Sequence, residues 1–158
     1  MNFNIIPFTN VGNIKLNETR EILRSQYYLE SENDNEFQLE DFFKNLDYYF
    51  IATYNMDKIL TAILLLKPSN PIFNNKELFN ITYRECILFF QEIDEICYLP
   101  SGFISYKFGI LIHSDFEYKN DKLKNPPTMI MAFRLEKFRK FMDEDKKSSY
   151  KWRSESGI

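Results

Sequence analysis

The sequence predicts an α+β fold in which one or more antiparallel sheets carry helices on one face and the chain ends in a helix. Runs rich in aromatic and β-branched residues predict the strands, and apolar residues at helical spacing behind capping residues predict the helices. The pattern VGNIKLNETREIL at 11–23 also returns in altered form as KELFNITYRECIL at 76–88. The predicted order is therefore helix, strands, helix, strands, helix, with two similar tandem units at about 11–67 and 76–134.

The first unit is predicted to open with a turn and a short helix. Gly12 permits the turn, because glycine adopts a positive φ without strain. Thr19 is a suitable N-cap for a helix over Thr19–Gln26, in which Ile22 and Leu23 face the core. The segment that follows, Tyr27–Asp41, is polar, acidic and without a clear period, so we predict a long loop there.

A β-hairpin is predicted next. Residues 46–54 and 58–66 are aromatic, β-branched and aliphatic, and a short polar turn separates them. Two prolines within 67–71 end the second strand, since proline cannot donate a hydrogen bond to a sheet ladder.

The second unit is predicted to open with a well-capped helix. Thr82 and Glu85 have the Thr-x-x-Glu spacing of a capping box, which predicts a helix from about Tyr83 to about Asp94. Strand-like runs then follow at 95–99, 103–114 and 128–134, and the last helix places Phe138, Phe141 and Met142 on one face. We expect a single domain over residues 1–150 and a flexible tail at 151–158.

Composition indicates a globular protein that stays in the cytoplasm. The chain has 158 residues, of which 44% are hydrophobic, which is enough for one packed domain. It contains no run of about 18 to 20 apolar residues, as a membrane helix needs, and its first residues do not match an export signal.

The charge distribution argues against nucleic acid as the main partner. Up to Tyr118 there are 9 Lys and Arg against 17 Asp and Glu, and from Lys119 onward there are 11 against 6. The net charge of −3 therefore combines an acidic body with a basic end. Binding to a duplex depends on a clustered basic face, which the body lacks.

The sequence offers no obvious catalytic or metal-binding set. His113 is the single histidine, and its neighbour Ser114 would point to the opposite face of a strand. The four glycines lie far apart, so there is no phosphate-binding loop, and Cys86 and Cys97 lack the spacing of zinc ligands. We expect no enzyme activity, metal or cofactor. We expect the two cysteines to be buried free thiols; a disulfide between them is the alternative.

The repeated pattern resembles that of known proteins. A Val-Gly turn, a short Ile-x-Leu strand and Asn-x-Thr-Arg-Glu-Ile-Leu are similar to the helix opening of BLIP-like proteins. Immunity proteins of bacterial contact-dependent and polymorphic toxin systems are also similar, and their late Gly-Ile strand corresponds to PheGlyIleLeuIle at 108–112. The chain departs from the pattern at Asn17, where glycine is usual, and at Ile22, where a capping Glu would stand.

This resemblance implies a BLIP-like tandem fold and a protein that neutralises the C-terminal domain of a cognate toxin by tight association. An acidic inhibitor surface would dock quickly onto a basic toxin cleft. The candidate surface combines the carboxylates and aromatic residues of the predicted loop: Tyr27, Tyr28, Glu30, Glu32, Asp34, Glu36, Phe37, Glu40 and Asp41. The alternative is a small-ligand-binding or enzymatic α+β domain. The toxin, the face that binds it and the oligomeric state stay open.

Overall fold

A large antiparallel sheet, a smaller sheet and two helices form an α+β fold in this computed structural model, which describes residues 1–114 and 123–140. A C-terminal helical segment occupies 135–140. The α+β class predicted from the sequence is therefore confirmed. Along the chain the elements are β1 (Asn2–Ile6), β2 (Asn10–Val11), β3 (Ile14–Lys15), α1 (Arg20–Gln26), β4 (Leu29–Asp34), β5 (Leu39–Lys44), β6 (Tyr49–Tyr54), β7 (Leu60–Leu66), β8 (Asn70–Phe73), β9 (Lys76–Glu77), α2 (Tyr83–Ile93), β10 (Ile96–Leu99), β11 (Gly102–Ser105), β12 (Ile110–His113) and β13 (Met129–Phe133).

The large sheet has eight strands in the order β10-β11-β12-β13-β7-β6-β5-β4. Each helix precedes one four-stranded meander, β4 to β7 after α1 and β10 to β13 after α2. The two meanders join through their last strands, where β13 pairs antiparallel with β7. Pairing of β6 with β7 confirms the predicted hairpin. The sheet therefore ends in two edge strands, β4 beside α1 and β10 after α2.

The small sheet has the order β3-β2-β1-β8-β9, with β1 and β8 parallel. The N-terminal strand β1 was not foreseen, because only two of its five residues, Phe3 and Ile5, are buried and the run is short. Gly12 turns the chain between β2 and β3 with a φ of +61°, as predicted. Its amide donates to the Asn4 carbonyl at 2.8 Å. A side chain at this position would suffer strain in the backbone.

The main core lies between one face of the large sheet, the small sheet and the two helices. The sheet contributes alternate residues such as Phe43, Phe50 and Ile63, which are fully buried. The helices contribute Leu23 from α1 and Phe90 from α2. Each such side chain stabilises the fold by about 1.5 to 3 kcal/mol relative to its exposed state. The core thus fixes both helices to the same face of the large sheet.

The opposite face of the large sheet carries a second, smaller cluster. Phe138 from the C-terminal helical segment packs there with Ala62, Ile104 and Phe133. This outcome agrees with the predicted inward orientation of Phe138 in a C-terminal helix. The other two residues of that predicted face, Phe141 and Met142, lie outside the described residues, as do the predicted tail and the end of the predicted domain.

Three local predictions need correction. The strand-like run 103–114 is two strands, because the chain turns at Gly109 with a φ of +61°. In α1, Ile22 is exposed, whereas Arg20 and Leu23 are buried. Thr19 does precede this helix, but its side chain makes no capping hydrogen bond.

The predicted loop Tyr27–Asp41 is also wrong, since β4 and the first half of β5 form a hairpin there. The turn is stabilised by Asn35, whose side-chain oxygen accepts hydrogen bonds from the amides of Phe37 and Gln38 at 2.9 and 3.0 Å. Five of the six residues of β4 are exposed, so the strand has no apolar alternation for a sequence pattern to detect.

Candidate functional site

The predicted binding residues lie on the β4–β5 hairpin, at the edge of the large sheet, or, for Tyr27 and Tyr28, in the link between α1 and that hairpin. The hairpin places them in three environments. Some carboxylates are drawn into contact with α1, some side chains belong to the core, and the rest face outward.

Three of the carboxylates take part in an arginine–carboxylate cluster with α1. The cluster comprises Arg20, Arg24, Glu32, Asp34 and Asp41. Arg20 donates to Asp41 Oδ1 at 2.6 Å and to both Asp34 oxygens at 2.8 and 2.9 Å. Arg24 donates to both Asp41 oxygens at 2.7 and 2.8 Å, and also to Glu32. The cluster ties the edge of the sheet to the helix.

Local geometry explains how this cluster forms. Arg20 and Arg24 are four residues apart and so lie on the same face of α1. Asp41 occupies an inward position of β5, between the buried Leu39 and Phe43. In the hairpin register Glu32 lies opposite Asp41 and Asp34 lies opposite Leu39, which puts all three carboxylates on the helix side of the sheet.

The cluster holds a charge in the interior. Asp41 is completely inaccessible to solvent. Burial alone would raise the pKa of Asp41, but hydrogen bonds from Arg24 and Arg20 outweigh it and hold that pKa below its ordinary value. A hydrogen bond from Arg20 also lowers the pKa of Asp34. Burial, and the charge of Asp41, raise the pKa of Tyr54, whose ring lies 5.5 Å from the Arg20 guanidinium.

The predicted aromatic anchors divide between the core and the surface. Tyr27 is half-buried and packs edge-on against Tyr48 and Phe50, so it is a core residue. Tyr28 and Phe37 are 68% and 86% exposed. They lie at opposite ends of β4, Tyr28 just before the strand and Phe37 in the turn after it.

The remaining carboxylates face outward. Glu30 lies 3.8 Å from Lys44, and Glu36 is exposed in the hairpin turn. Glu40 is half-buried and accepts hydrogen bonds from Gln38 and Asn33. We call Tyr28, Glu30, Glu36 and Phe37, together with the exposed strand β4, the hairpin surface. Sequence reasoning missed Arg20 and Arg24 as partners of the acidic residues. Their i, i+4 spacing predicts that they share one face of α1, but it does not indicate which carboxylates they meet.

The single histidine lies elsewhere in the sheet. His113 is half-buried in β12, opposite Met129, and its Nδ1 is 3.4 Å from the Thr128 hydroxyl. In the described ranges, no group of three or more His, Cys, Asp or Glu is placed to hold a metal ion. Both cysteines are free thiols; Cys86 is buried as expected, whereas Cys97 is only half-buried. Burial raises the pKa of Cys86 to about 12, so its reactive thiolate form is suppressed.

A shallow depression of about 410 Å³ lies at one end of β6 and β7. Tyr49, Leu66, Lys67 and residues 125–128 line it. It is distant in sequence from the hairpin surface and does not include the His113 side chain. The inner face of the sheet is filled by the main core.

None of the described helices is long and apolar enough to cross a membrane. Comparisons of the whole chain with known protein families, with curated proteins and with solved structures found no match.

Proposed function

We propose that this chain is an immunity protein, which binds the toxic C-terminal domain of a cognate bacterial toxin in the cytoplasm and neutralises it by tight association. The observation that supports this most is the hairpin surface, where Tyr28 and Phe37 expose large aromatic rings beside carboxylates that no arginine pairs with in the described residues. Exposed aromatic residues of this kind supply most of the binding energy in many protein interfaces.

The arginine–carboxylate cluster supports this role by fixing the surface in advance. It holds the β4–β5 hairpin against α1, because Arg20 donates to Asp34 of β4 and Arg24 donates to the inaccessible Asp41 of β5. A preorganised surface loses less conformational entropy on binding than a loop would. The hairpin therefore suits an inhibitor better than the long loop expected from the sequence would.

The excess of carboxylates favours a basic partner. Glu30 and Glu36 are exposed, and Glu32 and Asp34 keep side-chain exposures of 54% and 41% within the cluster. Complementary charge speeds association and disfavours wrong partners. We also propose that the fold is a BLIP-like tandem, because each helix is followed by a four-stranded meander and the two meanders join through their last strands.

The test is capture of a complex with the C-terminal domain encoded immediately upstream of this chain. Both should be co-expressed, purified through a tag on one of them, and checked for loss of toxicity. We expect a stable complex. A neighbouring domain that is neither bound nor neutralised would contradict the proposal.

Surface variants then locate the interface. Phe37→Ala should weaken binding at least about tenfold, because it removes an exposed aromatic anchor. The matched control is Leu88→Ala, which truncates an exposed apolar side chain of α2, away from the hairpin surface. Equal affinities for the two variants, measured by titration calorimetry, would remove the hairpin surface from the interface.

A further inference from the structure

Two turns of the β4–β7 meander lie at the same end of the large sheet. Because neighbouring strands are antiparallel, the β4–β5 turn and the β6–β7 turn lie side by side, two strand spacings or about 10 Å apart. Each turn places a large apolar residue beside an exposed carboxylate: Glu36 and Phe37 in the first, Met56 and Asp57 in the second. Phe37 and Met56 are 86% and 58% exposed. We call these four residues the paired tips.

Asparagine side chains fix the backbone of both turns. The side-chain oxygen of Asn35 accepts hydrogen bonds from two amides of its own turn. In the other turn, the Asn55 amide donates to the Ile59 carbonyl at 3.0 Å, and the Asn55 side-chain oxygen accepts from the Ile59 amide at 2.9 Å. The paired tips are therefore held on a hydrogen-bonded backbone, which reduces the conformational entropy lost on binding.

The β5–β6 turn, at the opposite end of these strands, has similar construction but different surroundings. Leu46 is 96% exposed beside Asp47, and Asn45 accepts hydrogen bonds from two amides of this turn. Cations also lie at that end: Lys44, Lys67 and the Met1 ammonium. The two turns of the paired tips contain two carboxylates and one lysine, Lys58. The charge therefore favours the paired tips, and not the opposite end, as the contact for a basic partner.

We propose that the paired tips form the centre of the interface and dock into a concave surface of the cognate toxin domain. That surface has two apolar pockets about 10 Å apart, which take Phe37 and Met56, and a basic residue beside each pocket. Anchors that fill pockets near the centre of an interface carry most of its binding energy. This inference rests on the proposed function, and it adds Met56 and Asp57, which lie outside the hairpin surface, to the binding site.

Single truncations compare the two ends of the meander. With the upstream-encoded toxin domain as the partner, Met56→Ala should weaken binding at least about tenfold, since it empties one pocket. The matched control is Leu46→Ala, which truncates an even more exposed apolar side chain in the turn at the opposite end. It should change the affinity by less than about twofold. Titration calorimetry measures both affinities, and circular dichroism checks that both variants are folded. Equal affinities would contradict the paired tips.

Oxidation of the unmodified complex gives an answer that does not depend on any variant. Hydrogen peroxide converts exposed methionine to its sulfoxide. Met56 and Met1 are 58% and 51% exposed at opposite ends of the meander, so both should react in the free protein. In the complex, Met56 should react much more slowly while Met1 reacts as before. If a complex forms and Met56 is not protected, the paired tips are wrong while the proposed function stands. If no complex forms with the unmodified protein, both proposals fail.

Discussion

The two helices cover the same face of one sheet by different physical means. At the α2 end, aromatic side chains fill the space between helix and sheet. At the α1 end, charged side chains occupy the equivalent position. The difference matters because apolar packing and ion pairing respond differently to mutation, pH and salt.

The α2 end combines an aromatic core with a helix start that is capped by side chains. The Phe90 ring stacks on Phe73, with a centroid distance of 5.5 Å and an interplanar angle of 9°, and meets Phe103 edge-on at 5.4 Å. Thr82 and Glu85 form the predicted capping box at the start of this eleven-residue helix, so the amides of these two residues both donate to side chains.

The α1 end depends on charge. This helix has seven residues and no side-chain cap, and it buries Leu23 and Arg20. The Arg20 side chain is 7% exposed and Asp41 is inaccessible. A buried ion pair often adds little net stability compared with an apolar pair, but removing one partner is costly because a charge is left without compensation. The α1 end is therefore the more vulnerable to loss of one charge.

The largest expected effect is at the α2 end. Phe90→Ala should lower the free energy of unfolding by about 3 to 5 kcal/mol, since it leaves a cavity among packed rings. Urea denaturation measures this change. The control is Phe89→Ala. Because Phe89 is only partly buried, this variant should lower the free energy of unfolding by less. Equal costs would mean that the α2 end is not packed as described.

At the α1 end, Asp41→Asn should lower the free energy of unfolding by about 3 kcal/mol at neutral pH, because Arg20 and Arg24 lose their buried counter-charge. The same urea experiment applies. Glu36→Gln also removes one carboxylate, but from an exposed turn, and should change stability by less than about 0.5 kcal/mol. An Asp41→Asn variant as stable as Glu36→Gln would contradict the cluster.

Acid should act more strongly at the α1 end, where the pKa values of two carboxylates are lowered, than at the α2 end, where hydrogen bonds from Thr82 lower the pKa of Glu85. The folded-state pKa values of Asp41 and Asp34 lie below their ordinary values, so their contribution is complete above the unfolded value of about 4. It is lost as the pH falls through the folded-state values. We therefore expect the urea midpoint to fall as the pH is lowered below about 5. In Asp41→Asn the midpoint should change less steeply with pH. If the midpoint changes with pH equally in the variant and the unmodified protein, other groups cause the acid sensitivity.

The smallest expected difference concerns the helix starts. Thr82→Ala should cost about 1 kcal/mol, because it removes the hydroxyl that accepts from the Glu85 amide. Thr19→Ala should cost less, since the Thr19 side chain makes no such bond. Thermal unfolding of the two variants compares their stabilities directly. An equal loss of stability would mean that the two helix starts do not differ in capping.

Prediction from the sequence succeeded where the signal was local and failed at the edge of the sheet. The capping box of α2, the hairpin of β6 and β7 and the turn at Gly12 each depend on residues close together in the chain. The strand β4 was missed because it is exposed on both faces and therefore has no alternation of apolar residues. Its pairing is stabilised instead by the Asn35 turn and by two arginines of α1.

By itself the sequence determined the α+β class, the capped second helix and the central hairpin, because hydrophobic period and capping act over a few residues. Only the tertiary structure decided which charges are buried. Arg20 meets Asp41 across 21 positions of the chain, and no local pattern records that contact. The segment predicted as an acidic loop is therefore the edge of a sheet. Arginines of α1 neutralise its inner carboxylates, while the aromatic rings at its ends stay exposed.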